Sequence, residues 1–291
     1  MGQVKIFASF LSIACFVFPL RATIGQTLLA GRAGDSKVTR SLFTQSAVEK
    51  LSRDFSRDDI SYLLLDAHTG AVLASRWPES DRPIPLGSLV KPFTALAYAQ
   101  RHGYKYPVYT CHGTASGCWR ARPHGQLNIV SALANSCNSY FLEAASQLSG
   151  TDMHDVASEF GLDSPGDSLT GPALMGLGED WAISPLHMAR AYLELDRRRA
   201  DPGIAEILSG LERSAQSGTG SGVGHALKHF SALVKTGTAV CRHAHRASGD
   251  GFVVALVPDD QPLFLLMVRA HGVPGAVASA IAGRMLARLE Q

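Results

Sequence analysis

Three short groups of residues could carry out nucleophilic chemistry together. They are Ser88 and Lys91, Ser136 and Asn138, and the run Lys235-Thr236-Gly237-Thr238. Ser88 and Lys91 stand at i and i+3, the spacing that puts two side chains on one face of a helix, so an amine there can reach the hydroxyl. Gly87 allows a tight entry into that helix, and Pro92 costs little because the first turn has amides without helical partners. A helix N-terminus also favours negative charge developing at Ser88. For Lys91 to act as a base it must be neutral part of the time. Bringing a lysine from about 10.4 to near 7 costs roughly 4 kcal/mol, which burial and a second cation can supply, and Lys235 is the candidate cation. Ser136 could relay a proton between Lys91 and a leaving group, and Asn138 offers an amide to hold a substrate amide. The hydroxyls of Thr236 and Thr238 can bind a carboxylate, and Gly237 lets a substrate backbone pair along a strand edge.

Such a site needs a sheet edge beside a helical wall. Residues 41–55 carry apolar positions at helical spacing, and SYLLLDAHTGAVLAS reads as two apolar strands joined by a polar turn. Helical patterns follow over 88–102, 129–149, 153–160, 184–198, 204–217 and 222–229. The strand signal then returns in FSALVKTGTAV, GFVVALVP and LFLLMVRA, and a last helix spans 275–289. The expected fold is α+β, a five-stranded antiparallel sheet flanked by the terminal helices. An all-helical lobe over about 90–228 is inserted into it, with a ligand cleft between lobe and sheet edge.

The 291 residues include 46% hydrophobic and 18% charged ones, enough for one large domain and the wrong balance for disorder. A net charge of +2 without a basic run gives no reason to expect nucleic acid. Lys5 precedes an apolar run from Ile6 to Leu20, too short to cross a bilayer and well suited to a secretory signal. The expected organisation is a signal peptide over 1–25, cleaved rather than kept as an anchor, a flexible leader over 26–40 and the domain proper over 41–291. The expected location is the periplasm or cell envelope.

Export permits disulfides. Cys111 and Cys118 close a small Gly- and Ser-containing loop, and a bridge between them is the favoured reading. A metal held by Cys111, His112, Cys118 and His124 is the sharper alternative, but the spacing matches no standard zinc pattern, so no metal and no cofactor are expected. Cys137 and Cys241 are read as two separate buried thiols, with a bridge between them as the alternative.

The three motifs in this order resemble the Ser-x-x-Lys, Ser-x-Asn and Lys-Thr-Gly signature of the penicillin-binding proteins and their β-lactamase relatives. The likeness extends over about residues 55–290: PLGSLVKPFTALAYA resembles the family's active-site helix, HGQLNIVSALANSCNSYF its run into Ser-x-Asn, and LVKTGTAVC its following strand. The resemblance implies acylation at Ser88, with Lys91, Ser136 and Lys235 as its catalytic partners. It also implies an oxyanion hole from the backbone amides of Ser88 and Thr238. The chain then resembles an exported serine D,D-transpeptidase or carboxypeptidase acting on peptidoglycan stem peptides, with β-lactams as covalent inhibitors and cell-envelope protein partners left open. The short gaps between motifs, 48 residues from Ser88 to Ser136 and 99 from there to Lys235, are more like class D β-lactamases and related receptor sensor domains. A class D-like β-lactamase and a binding module without turnover are therefore the alternatives. No Glu-x-x-Leu-Asn run, the deacylating element of class A β-lactamases, lies between Ser136 and Lys235.

Overall fold

The computed structural model describes residues 43–241 and 249–291. The expected signal peptide and leader lie outside the described residues. The chain divides into two units, Met1–Gln45 and Ser46–Gln291, and the second contains the whole sheet and the inserted lobe.

Helix α1 spans 43–54, with Ala47 and Leu51 buried on one side. Strands β1 (Ile60–Asp66) and β2 (Val72–Ser75) form the expected hairpin. Its turn is built by Asp66, whose Oδ1 accepts from the backbone N–H groups of His68 and Thr69 and from the Thr69 hydroxyl. Gly70 closes it at φ +69°. At the other end of the chain lie β7 (Leu233–Ala239), β8 (Asp250–Val257), β9 (Phe264–Ala270) and α9 (Gly275–Leu289). The five strands form one antiparallel sheet in the order β2-β1-β9-β8-β7, so the two ends of the sequence meet at the β1–β9 pairing. β8 is buried along its whole length, which is why it reads FVVALV without alternation. α9 packs on β7, β8 and β9, as the expected terminal helix, and Arg288 near its end reaches Asp54 at 2.9 Å.

The sheet edge at β7 faces the inserted lobe. A two-residue strand β3 (Ile84–Pro85) leads into a 3₁₀ turn, Gly87–Val90, which continues as α2 (Lys91–Arg101). The lobe then contains α3 (Ile129–Ala134), α4 (Asn138–Ala145), α5 (Gly150–Phe160), α6 (Pro185–Arg197), α7 (Ile204–Ser217) and the single turn α8 (Ser221–Gly224). Phe93 of α2 packs edge-on against Phe160 and Tyr192, at 5.5 Å from each ring.

Three features depart from the expected pattern, and the first is that the helix expected over 222–229 is only the single turn Ser221–Gly224. The lobe carries short strand pairs as well as helices: β4 (Tyr109–Cys111) with β5 (Gly125–Leu127), and β3 with β6 (Ala182–Ile183). Strands of two or three residues are too short to show an alternating pattern. The helix expected over 129–149 is broken in two at residues 135–137, where Ser136 takes φ +48°. Left-handed backbone at a residue with a side chain costs about 1–2 kcal/mol and ends the helix there.

Candidate active site

Ser88 sits in the 3₁₀ turn, where residues three apart eclipse one another, so Ser88 and Lys91 stay on one side. Glycine contacts hold the turn from both sides. A Cβ on Gly87 would lie 2.2 Å from Thr238 O, one on Gly237 2.5 Å from Leu86 O, and one on Gly176 2.1 Å from Gly87 O. No residue with a side chain fits at these backbone approaches. They bring β7 and the turn Gly171–Met175 against the two peptides that flank Gly87, just before Ser88. The Tyr192 hydroxyl donates to Leu89 O at 2.8 Å, and the Thr94 hydroxyl to Leu174 O at 2.6 Å, which fastens the same turn to the lobe.

Ser88 opens onto a cavity of about 350 Å³ that Ser136, Asn138, Thr236, Gly237 and Thr238 also line. All eight residues singled out in the sequence therefore meet at one place. Six of them line the cavity, and the two lysines lie buried behind it. Lys91 Nζ donates to Ser136 O at 2.9 Å and to Asn138 Oδ1 at 2.7 Å, and stands 5.2 Å from the Phe141 ring centroid. Lys235 Nζ donates to Ser136 Oγ at 2.9 Å and to Thr236 O at 2.6 Å. Ser136 thus bridges the two amines, by its carbonyl to one and its hydroxyl to the other. Neither lysine makes an ion pair among the described residues, and both are fully buried. Burial pushes Lys91 down to about 7, against the opposing influence of the Cys137 and Cys118 sulfurs. Burial, reinforced by repulsion from Lys91, holds Lys235 well below the ordinary lysine range.

Lys91 stands within helical reach of Ser88, and in this structure its bonds run to the Ser136–Asn138 segment. Apo sites often tighten such contacts only when substrate binds. The threonines are also engaged. Thr236 Oγ1 donates to Thr219 Oγ1 at 2.6 Å, and Thr238 Oγ1 accepts from the Gly275 N–H at 3.0 Å. Thr219 and Trp119 line the cavity too and were not singled out from the sequence. Thr219 lies in a Gly-rich break between helices, and Trp119 in a loop, so neither carries a periodic signal.

The cysteines correct one expectation. Cys111 and Cys118 are free thiols, as are Cys137 and Cys241. Cys111 and Cys118 both face His124 Nδ1, at 3.5 Å each, and Cys118 Sγ lies 3.8 Å from Cys137 Sγ. The loop turns both sulfurs toward a shared imidazole instead of pairing them. A second group, Cys241, Asp250 and His271, is closed by a guanidinium: Arg269 Nε donates to Asp250 Oδ2 at 2.8 Å and its Nη2 bonds the same oxygen.

The sequence profile of the penicillin-binding protein transpeptidase domain matches residues 60–289. The chain belongs to this family. Family membership makes it an acyl-transfer enzyme of peptidoglycan, whose domain binds penicillin. No curated protein sequence matches this family member significantly. Its fold is similar to the transpeptidase domain of penicillin-binding protein 3 from Burkholderia pseudomallei, with TM-score 0.64 and 18% identity over 85% of this chain and 92% of that one. It is similar to penicillin-binding protein 2 of Pseudomonas aeruginosa, solved in complex with WCK 5153, at TM-score 0.64 and 17% identity over 86% and 73%. The Helicobacter pylori penicillin-binding protein 2, solved in complex with MreC, gives TM-score 0.70 and 15% identity over 83% and 62%. No helix among the described residues of this family member is long and apolar enough to cross a membrane.

Proposed function

We propose that this chain is an exported serine D,D-transpeptidase that acts through an acyl-enzyme at Ser88, and that residues 41–291 form its catalytic domain behind a cleaved signal peptide. The observation that carries the reading is Ser136 bridging two buried lysines, neither paired with a carboxylate, behind the cavity onto which Ser88 opens. Neutral Lys91 takes the Ser88 proton as Oγ attacks the penultimate D-Ala carbonyl of a stem peptide. The backbone amides of Ser88 and Thr238 receive the oxyanion. The C–N bond breaks, and the proton passes through Ser136 to the departing D-Ala amine. Asn138 holds a substrate amide, Thr236 and Thr238 hold the terminal carboxylate, and Lys235 behind them donates to Ser136 Oγ. An amine then attacks the ester and gives a proton to Lys91, which returns it to Ser88 Oγ as the ester C–O bond breaks. No Asp or Glu lines the cavity among the described residues, so water has no carboxylate base there. This favours transfer to an amine over hydrolysis. Peptidoglycan stem peptide is then the substrate, β-lactams the covalent inhibitors, and a second protein of the cell envelope the partner class that the relative solved with MreC points to.

Intact-mass measurement with a penicillin, followed over time, tests the reading. The expected result is one penicillin per chain, persisting for many minutes, and none on Ser88→Ala. Labelling of Ser88→Ala at the wild-type level would remove Ser88 from its role. Rapid repeated hydrolysis would make the chain a β-lactamase.

A further inference from the structure

We propose that Cys111, Cys118, His124 and Cys137 bind a zinc ion that holds the Ser136–Asn138 segment in place. A tetrahedral zinc with Zn–S near 2.3 Å and Zn–N near 2.05 Å requires sulfurs about 3.8 Å apart and sulfur to nitrogen about 3.6 Å. The protein shows 3.8 Å from Cys118 Sγ to Cys137 Sγ and 3.5 Å from His124 Nδ1 to each of Cys111 Sγ and Cys118 Sγ. All four candidate ligand atoms lie within 4.8 Å of one another. Three sulfurs and one imidazole are a donor set suited to a borderline-soft ion in a closed structural site, with no position left for water or substrate.

The surroundings fit ligands that carry charge. The Gly113 N–H donates to Cys111 Sγ at 3.4 Å, and Ser139 Oγ lies 3.4 Å from the same sulfur, itself held by Ser116 Oγ at 2.8 Å. Donors aimed at sulfur are what coordinated thiolates need. The His124 ring turns Nδ1 to the sulfurs although this leaves its buried Nε2 with no hydrogen-bond partner. A cation among the sulfurs accounts for that orientation, since Nδ1 is then a ligand. All three cysteines are buried, so a site without an ion would pack three thiols around an imidazole for little gain.

The ligands come from two places. Cys111 ends β4, Cys118 follows the 3₁₀ turn Gly113–Ser116, and His124 precedes β5, so three belong to one hairpin. Cys137 lies between Ser136 and Asn138. The ion therefore fixes the hairpin to the segment whose Ser136 carbonyl and Asn138 amide receive Lys91, and it positions Trp119, next to Cys118, on the cavity wall. Its role is positional. His112, a member of the metal alternative in the sequence, is exposed and takes no part, and Cys137 replaces it.

The test is metal analysis of the full chain purified without chelator, with cobalt(II) as a second probe. The expected result is one zinc per chain, and cobalt(II) loading that gives sulfur-to-metal charge-transfer bands and strong tetrahedral visible bands. Cys111→Ser and His124→Ala lose the metal, Cys241→Ser keeps it, and Ser139→Ala weakens it about tenfold. Cys111→Ser and Ser139→Ala keep the Ser-x-Asn motif intact, so a misfolded Cys137 variant does not decide the matter. Zinc below one-tenth of a molar equivalent in wild type overturns the site, as does a peptide linking Cys118 to Cys137 by a disulfide. Chelation is expected to slow penicillin acylation and lower the melting temperature, with zinc restoring both; an unchanged acylation rate in the stripped protein overturns the positioning role. The metal count needs no activity, so it stands apart from the assignment of Ser88.

Discussion

Replacing Gly176 with alanine isolates how far the nucleophile depends on backbone contact. Gly176 follows the turn Gly171–Met175 at φ +83°, and a Cβ there would sit 2.1 Å from Gly87 O, 2.6 Å from Gly87 C and 3.0 Å from Val90 Cγ2. An ordinary carbon–oxygen contact is longer by about 1 Å. Gly87 has little room to retreat, because Thr238 O already lies against its own Cα. The peptide just before Ser88 must therefore shift by a large part of that ångström, and a displacement of about 1 Å at reacting groups costs on the order of 100-fold in rate. Positive φ adds about 1–2 kcal/mol of strain whatever the surroundings. Gly70→Ala separates the two effects, because Gly70 has φ +69° and nothing within 4 Å of an added Cβ. Both variants are expected to lose melting temperature, at about 2–4 °C per kcal/mol for a chain of this size, with Gly176→Ala losing more. Only Gly176→Ala is expected to slow acylation by a fluorescent penicillin, by about 100-fold in a stopped-flow measurement. If Gly176→Ala acylates within about twofold of Gly70→Ala, the contact does not position Ser88 and the reasoning fails.

Two further outcomes are expected. Lys91, lowered to about 7 mainly by burial, accepts a proton only when neutral. The acylation rate should therefore rise with pH, level off above about 7 and fall about tenfold for each pH unit below it; a rate that stays flat down to pH 5 would remove Lys91 from the role of base. At Asp250, 1% exposed, burial raises the carboxyl, but hydrogen bonds from Arg269, Cys241 and the Gly272 N–H, together with the Arg269 charge, outweigh it and leave it below the usual range. This pair contributes stability above the ordinary Asp range that is lost as pH falls through the lowered value. Arg269→Leu removes the guanidinium from the buried carboxylate and should cost roughly 3–5 kcal/mol in urea unfolding at neutral pH, and less once acid protonates Asp250; a loss under about 1 kcal/mol would refute this account of the pair.

The residues that meet at the cavity were legible in the sequence because they stand as residue types at short fixed spacings. Ser88-x-x-Lys91, Ser136-x-Asn138 and Lys235-Thr236-Gly237 each sit on a local element, and the sheet that brings β7 beside the lobe follows from long apolar runs. The helices 204–217 and 275–289 show the same strength of local signal and end where their patterns end. What could not be read depends on approach between distant segments. The glycine clamp joins Gly87, Gly176 and Gly237, whose only shared sign is the absence of a side chain. Thr219 enters the cavity through a hydrogen bond to Thr236. The four sulfur and imidazole ligands span 27 residues, from a hairpin to the break at 135–137, with β4 and β5 too short to announce a hairpin, so the spacing alone favoured a disulfide.

The break at residues 135–137 connects these features. A continuous helix from 129 to 149 would satisfy its backbone internally and leave the Ser136 carbonyl engaged with a residue of the next turn. With Ser136 at φ +48°, that carbonyl is free to accept from Lys91 and the hydroxyl from Lys235. Two buried amines without carboxylates need such acceptors, since burial without any partner would cost several kcal/mol each. The same break makes Cys137 the N-cap of α4, its sulfur turned to the hairpin ligands, although a cysteine is a poor N-cap and makes no side-chain capping bond here. Cys137 thus serves the helix badly and the sulfur cluster well. A strained serine and an ineffective cap in succession, each weak by local rules, are accounted for by what they hold: a pair of lysines on one side and a metal on the other.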